Sequence, residues 1–291
     1  MTTIGFIGFG AMGSRMAGRL LAAGHEVHGT NRTPAKAQPL IARGLQWHDT
    51  PREVARAVDI TFSMVTDDDA LRDVMKGPDG VLAGLSAGHV HIDMSTVSPN
   101  VSRDYAERAR AIGAELIEAP VSGSIPAAED GSLVIMAAGD EATFHRVEPL
   151  LHELGSSVTY IGANGQALLL KLAVNISLGA QILALSEGAL LAERGGIDRK
   201  LAVDVIAGSA VGSPAVRARG PLVLDLPKEA WFDVSLMQKD IRLALDAGIV
   251  LDTPLPSTDL IDRTLTQARE HGYAHRDIAA FFNTLAEMDE K

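Results

Sequence analysis

Residues 3–162 alternate between short apolar segments and helical patterns, and past Gly162 the strand signals stop. That change of rhythm limits the chain to few architectures. The strand-like segments are residues 4–7, 26–30, 60–65, 90–93, 115–118, 134–137 and 158–161. Strands separated by helices argue for βαβ units and a mainly parallel sheet with helices on both faces. One long helical pattern then runs from residue 165 to about residue 194 and breaks at Gly195-Gly196; at 1.5 Å per residue it spans roughly 45 Å. Residues 201–207, 235–247, 257–271 and 278–288 keep helical periodicity between Pro and Gly punctuation. The expectation is an α/β domain over residues 1–163 and an all-α domain over residues 164–291, joined by the long helix itself.

Gly8-Phe9-Gly10-Ala11-Met12-Gly13 fits G-x-G-x-x-G with a strand before it and a helix after it, the context of a Rossmann-type dinucleotide site. The first glycine permits a tight turn, the second lets the backbone approach a pyrophosphate, and the third allows close helix–strand packing. N–H groups at the helix start then face the phosphates. At the end of the second strand, where an NAD site would offer a carboxylate to the ribose, the chain has Asn31-Arg32-Thr33. An arginine with two neutral hydrogen-bonding neighbours suits a 2′-phosphate, so NADP (NADPH) is the expected cofactor. Met64-Val65-Thr66 and Ser95-Thr96-Val97 fall at later strand ends, where ligands bind in open α/β sheets, although each is also a plausible turn or cap.

Lys171 and Asn175 are polar residues four apart within the apolar run of residues 167–183, hence on one helical face. An ammonium in such surroundings either snorkels to solvent or sits in a site where its charge has a partner. The second alternative makes Lys171 a candidate catalytic acid. The run approaches membrane-spanning length, but Lys171, Asn175 and Gln181 interrupt it, so it reads as a buried helix of a soluble protein with no membrane partner.

With 37 acidic against 26 basic residues, the formal charge of −11 repels nucleic acid at long range. No cysteine is present, which removes disulfides and thiolate chemistry and suits a cytoplasmic protein. Met1-Thr2-Thr3 leads directly into a strand-like segment without a signal-type stretch. The nine histidines show no metal-ligand spacing with carboxylates, so no metal site is expected. Phe281-Phe282 reads as core or subunit contact.

Taken together, these segments resemble the β-hydroxyacid dehydrogenase family, related to 3-hydroxyisobutyrate and 6-phosphogluconate dehydrogenases. The resemblance covers essentially the whole chain and rests on the glycine fingerprint, Asp93-Met-Ser-Thr-Val97, Pro120-Val-Ser-Gly123, Gly165 through Lys171 to Asn175, and Gln238-Lys-Asp240. Val121-Ser-Gly-Ser124, Pro126-Ala-Ala-Glu-Asp-Gly131 and Asn31-Arg-Thr33 are most similar to the NADPH-dependent glyoxylate and succinic semialdehyde reductases. Ser124 replaces a second glycine and Ile176 a second asparagine, which points away from the hydroxyisobutyrate branch.

The resemblance implies that Lys171 is catalytic and that Asn175 holds the substrate or that lysine. It implies that Ser122 and Gly123 bind the substrate carboxylate with Thr96 nearby, that Phe232 and Asp240 line the substrate, and that Lys239 serves substrate and cofactor. It further implies a small carboxylated aldehyde or hydroxy acid as substrate and a homodimer or homotetramer. The alternatives are 3-hydroxyisobutyrate or tartronate semialdehyde chemistry, an imine reductase, which generally lacks the lysine, and a non-catalytic NADP-binding protein.

Overall fold

The computed structural model describes residues 1–288, which divide into two compact units, Met1–Lys171 and a second that begins at Leu172. The first unit contains β1 (Thr3–Ile7), α1 (Ala11–Ala22), β2 (Glu26–Thr30), α2 (Gln38–Ile41), β3 (Gln46–Trp47), α3 (Pro51–Ala57), β4 (Ile60–Ser63), α4 (Asp68–Met75), β5 (Val90–Asp93), α5 (Pro99–Ala111) and β6 (Glu115–Glu118). It continues through β7 (Val121–Ser122), α6 (Ile125–Asp130), β8 (Leu133–Ala138), α7 (Glu141–Leu154) and β9 (Gly155–Gly162) into the start of α8 (Gln166–Arg194). The strands form one nine-stranded sheet of order β3-β2-β1-β4-β5-β6-β8-β7, with β9 also on β8. Strands β1 to β6 run parallel; β8 is antiparallel to β6 and β7 and parallel to β9.

Apolar residues point alternately to the two faces, as a pleated strand requires. Ile4, Phe6, Val90 and Ile92 enter one core, whereas Ile7, Leu116 and the helix residues Leu71, Tyr105 and Leu168 enter the other. In the register of β4, β5 and β6, Ser63 lies beside Asp93 and Asp93 beside Glu118. Parity therefore places these three buried polar residues, with Thr61 and His91, in rows on one face.

The second unit holds the rest of α8 with α9 (Arg199–Gly208), α10 (Pro214–Leu224), α11 (Val234–Val250), α12 (Pro256–Glu270) and α13 (Phe281–Glu287). By length and composition α8 could cross a membrane. Its apolar residues are shared among three cores: Leu168 in one, Ile182 and Leu183 in a second, Leu185 and Ala189 in a third. This explains why the helix is apolar around most of its circumference rather than along one stripe. Phe281 and Phe282 are both core residues.

Three elements depart from the sequence reading. The two-residue strands β3 and β7 were too short for an alternation to register, and they exist through pairing with β2 and β8. Helix α10 contains Gly220-Pro221, poor helix residues, yet it buries Val216, Val223 and Arg219. Arg219 forms a buried ion pair with Asp277 at 2.8 Å; removing one partner of such a pair typically costs about 3–5 kcal/mol.

Candidate active site

At the end of β1 the chain turns at Gly8, whose φ of +97° favours glycine. A Cβ on Gly8 would lie 2.4 Å from the Met64 carbonyl, and one on Gly13 would lie 2.1 Å from the Gly8 carbonyl. Gly10 differs, since no heavy atom lies within 4 Å of its Cβ position. It is the N-cap of α1, and no side chain caps the helix. Space at Gly10 and first-turn N–H groups without a side-chain cap fit a pyrophosphate.

Among the fingerprint residues, Ala11 is exposed, Met12 packs partly against the core, and the Phe9 ring is buried and stacked on Phe6 at 6.1 Å. Phe9 therefore contributes only backbone to the nucleotide turn. Its N–H donates to Asn31 Oδ1 at 2.8 Å, and Asn31 Nδ2 donates to the Thr33 carbonyl at 2.8 Å. Asn31 thus braces the glycine turn against the β2 end, leaving Arg32 and Thr33 exposed beside it.

Strand β4 ends at Ser63, so Met64 and Val65 lie just beyond it instead of inside the strand. The Val65 N–H donates to Ser95 Oγ at 2.9 Å; Ser95 Oγ and Ser63 Oγ each donate to Asp93 Oδ1 at 2.7 Å. Because the Ser63 proton is committed to Asp93, its oxygen accepts from His91 Nε2 at 3.0 Å, and His91 Nδ1 accepts from Thr61 Oγ1 at 2.8 Å. Every proton in this chain is placed if the imidazole is neutral. Full burial agrees, driving the His91 pKa down to about 3. The network locks the ends of β4 and β5, and half-buried Thr96 follows directly. The sequence reading missed Asp93 and His91 as supports, although polar residues at inward positions of apolar strands are the signal that marks them.

Ser122 lies within β7 rather than in a turn, and Gly123 follows with a φ of +125°. Helix α6 comes next and is tied to α1: Arg15 Nε pairs with Glu129 Oε1 at 2.7 Å and Arg19 Nη1 donates to the Glu129 carbonyl at 3.0 Å. These partly exposed contacts orient α6 more than they stabilise it.

Lys171 closes the first unit, with only 8% of its surface exposed. It is a buried lysine, not a snorkelling one. One helical turn on, in the second unit, Asn175 is 1% exposed and donates from Nδ2 to Asp240 Oδ2 at 2.6 Å. Asp240 Oδ1 pairs with Lys239 Nζ at 2.7 Å. Phe232 is partly buried against the apolar core that contains Val234, Met237 and Ile241, and its N–H donates to Asp277 Oδ2 at 3.1 Å. Asn175, Lys239 and Asp240 are therefore directly connected, while Phe232 is held separately through Asp277. Among the described residues, no group of three or more His, Asp or Glu side chains has the arrangement to hold a metal.

A mainly parallel sheet with the glycine fingerprint at the end of its first strand defines a dinucleotide-binding domain. The model for the NAD binding domain of 6-phosphogluconate dehydrogenase matches residues 3–162, and that for the NAD-binding domain of NADP-dependent 3-hydroxyisobutyrate dehydrogenase matches residues 164–285. Glyoxylate/succinic semialdehyde reductase 2 of Arabidopsis thaliana is 34% identical over 283 residues, 97% of this chain and 79% of that protein. The 2-hydroxy-3-oxopropionate reductase of Escherichia coli K12 is 34% identical over 285 residues, covering 98% of this chain and 97% of that one. The structure of Psf3 with NADP+ and 2-OPP superposes with a TM-score of 0.90 at 28% identity, covering 97% and 99% of the two chains. The protein belongs to the β-hydroxyacid dehydrogenase family and is an NAD(P)-dependent oxidoreductase.

Proposed function

We propose that the protein reduces small aldehyde acids, glyoxylate and succinic semialdehyde foremost, to hydroxy acids with NADPH, and that Lys171 is the general acid. The observation that carries the reading is the burial of Lys171 one turn from buried Asn175. The glyoxylate/succinic semialdehyde reductase of Arabidopsis thaliana, 34% identical across 97% of this chain, supports the substrate class. Bound NADPH would supply the hydride. As the aldehyde oxygen gains negative charge, the Lys171 ammonium stabilises it and passes a proton from Nζ to that oxygen. Asn175, held by Asp240, keeps a fixed polar group on the same helical face. Ser122 and the Gly123 backbone are the proposed donors to the substrate carboxylate, with Lys239 adding positive charge. Arg32, exposed at the end of β2 without a neighbouring acidic strand end, supports NADP over NAD.

The similarity to 2-hydroxy-3-oxopropionate reductase, 34% identical with nearly full mutual coverage, favours tartronate semialdehyde as a second reading. Comparing kcat/KM for glyoxylate, succinic semialdehyde and tartronate semialdehyde with each nicotinamide cofactor decides between them. Absence of NADPH oxidation with all three would overturn the proposal.

A further inference from the structure

We propose that Glu118, at the end of β6, is a positioning residue for Lys171: its carboxylate clamps the first turn of α8 and so fixes where the lysine points. Glu118 is fully buried. Oε2 accepts from the Gly165 N–H and from Ser102 Oγ, each at 2.6 Å. Oε1 accepts from the Ala167 N–H at 2.9 Å and the Leu168 N–H at 3.3 Å. The opening N–H groups of a helix have no partner within it. Here a carboxylate from a different element of the fold supplies one, with the negative charge at the favourable end of the helix dipole.

Two oxygens gripping the N–H groups of Gly165, Ala167 and Leu168 around the helix start restrain both the advance of α8 along its axis and its rotation about it. Lys171 lies four residues past Ala167 and three past Leu168, so it inherits that rotation directly. A second strap acts beside the first: Asn164 Nδ2 donates to the Leu116 carbonyl at 3.0 Å, and Asn164 Oδ1 accepts from Arg110 Nη2 at 2.7 Å. Gly165, with a φ of +93°, turns its N–H toward Glu118, and a Cβ there would lie 2.1 Å from Arg103 Nη1. Glu118 is also the register neighbour of Asp93, which accepts from Ser63 and Ser95 at the nucleotide-side strand ends. The row Ser63–Asp93–Glu118 therefore references the helix bearing the acid to the strands bearing the cofactor loops. Since displacement of a reacting group by about 1 Å costs on the order of a hundredfold in rate, such a reference is a catalytic requirement.

The inference rests on Lys171 acting as the acid, and a double-mutant cycle separates the two. With NADPH and glyoxylate, Glu118→Gln should lower kcat by roughly tenfold to a hundredfold. The amide cannot accept from the Gly165 N–H at the position its nitrogen occupies. NADPH affinity should stay within about twofold, because residues 8–13 are untouched, and Glu118→Asp, which keeps the charge, should recover part of the rate. In a Lys171→Ala background, Glu118→Gln should cause little further loss, since there is no longer an acid to aim. An unchanged kcat in Glu118→Gln, or an equal further loss on top of Lys171→Ala, would overturn the proposal. If Glu118→Gln does not fold, Ser102→Ala removes one donor at Oε2 and carries the same cycle. Near-normal kcat in Lys171→Ala removes the acid assignment and this inference with it. A crippled Lys171→Ala beside an unaffected Glu118→Gln removes this inference alone.

Discussion

Asn175 Nδ2 donates to Asp240 Oδ2 at 2.6 Å, joining two buried side chains 65 residues apart. Because Asp240 also holds Lys239 at 2.7 Å, one carboxylate sets the direction of an amide and an ammonium together. Asn175→Ala strips a hydrogen bond from a buried charge, so it should lower unfolding free energy by about 1–3 kcal/mol and reduce kcat as well. Urea unfolding with parallel kinetics checks this; wild-type values for both would show that the contact is incidental.

Lys171→Ala should reduce kcat by at least about a hundredfold, the scale of general acid catalysis, while leaving NADPH binding nearly intact. The motivation is a lysine kept 8% exposed at the end of the first unit. Steady-state rates and cofactor titration measure the two effects separately, and a near-normal kcat would discard the assignment.

Arg32→Asp should weaken NADPH far more than NADH, because a guanidinium facing a 2′-phosphate is replaced by a repelling carboxylate. Arg32 is exposed beside the braced Asn31, so the substitution should leave the glycine turn intact. Equal losses for both cofactors by fluorescence titration would make Arg32 a structural residue instead.

Lys239→Ala should penalise glyoxylate and succinic semialdehyde more than uncharged aldehydes of similar size, since only the acids lose an ionic partner. The Lys239 side chain is 22% exposed, and its ammonium forms an ion pair with Asp240 Oδ1 at 2.7 Å. A uniform drop in kcat/KM across the aldehyde panel would assign Lys239 to packing.

Acid stability should carry the signature of His91. Burial lowers its pKa to about 3 in the folded protein, whereas an unfolded histidine titrates near 6.5. The unfolded chain therefore binds the extra proton between these values. Stability is fully present above about 6.5 and is lost as pH falls toward 3, by up to a few kcal/mol. His91→Gln, which can accept from Thr61 and donate to Ser63, should be less sensitive than wild type when urea midpoints are compared at pH 7.5 and 4.5. Identical shifts in both proteins would show that other groups govern acid unfolding.

Much of this molecule was legible because it depends on local rules. The strand–helix rhythm up to Gly162 reflects side-chain periods of two and 3.6. The turn at residues 8–13 needs glycine for positive φ at Gly8 and close packing at Gly13, needs that are written in the residues themselves. The spacing of Lys171 and Asn175 placed both on one helical face, although burial alone distinguished an enclosed lysine from a snorkelling one. What remained hidden depends on which strands become neighbours. Phe9 looked like part of the nucleotide loop, but its ring belongs to the core beside Phe6. Strands β3 and β7 carry too few residues to show a period and are defined by their partners. Glu118 reads as one more acid ending a strand until β6 is set beside β5 and 47 residues of chain return Gly165 to its carboxylate. The sequence determined the elements, the glycine turn and the spacing of the lysine–asparagine pair, because backbone sterics and hydrophobic periodicity act over a few residues. The tertiary structure alone decided what orients them, because a buried carboxylate is satisfied by whichever donors the folded topology brings to it.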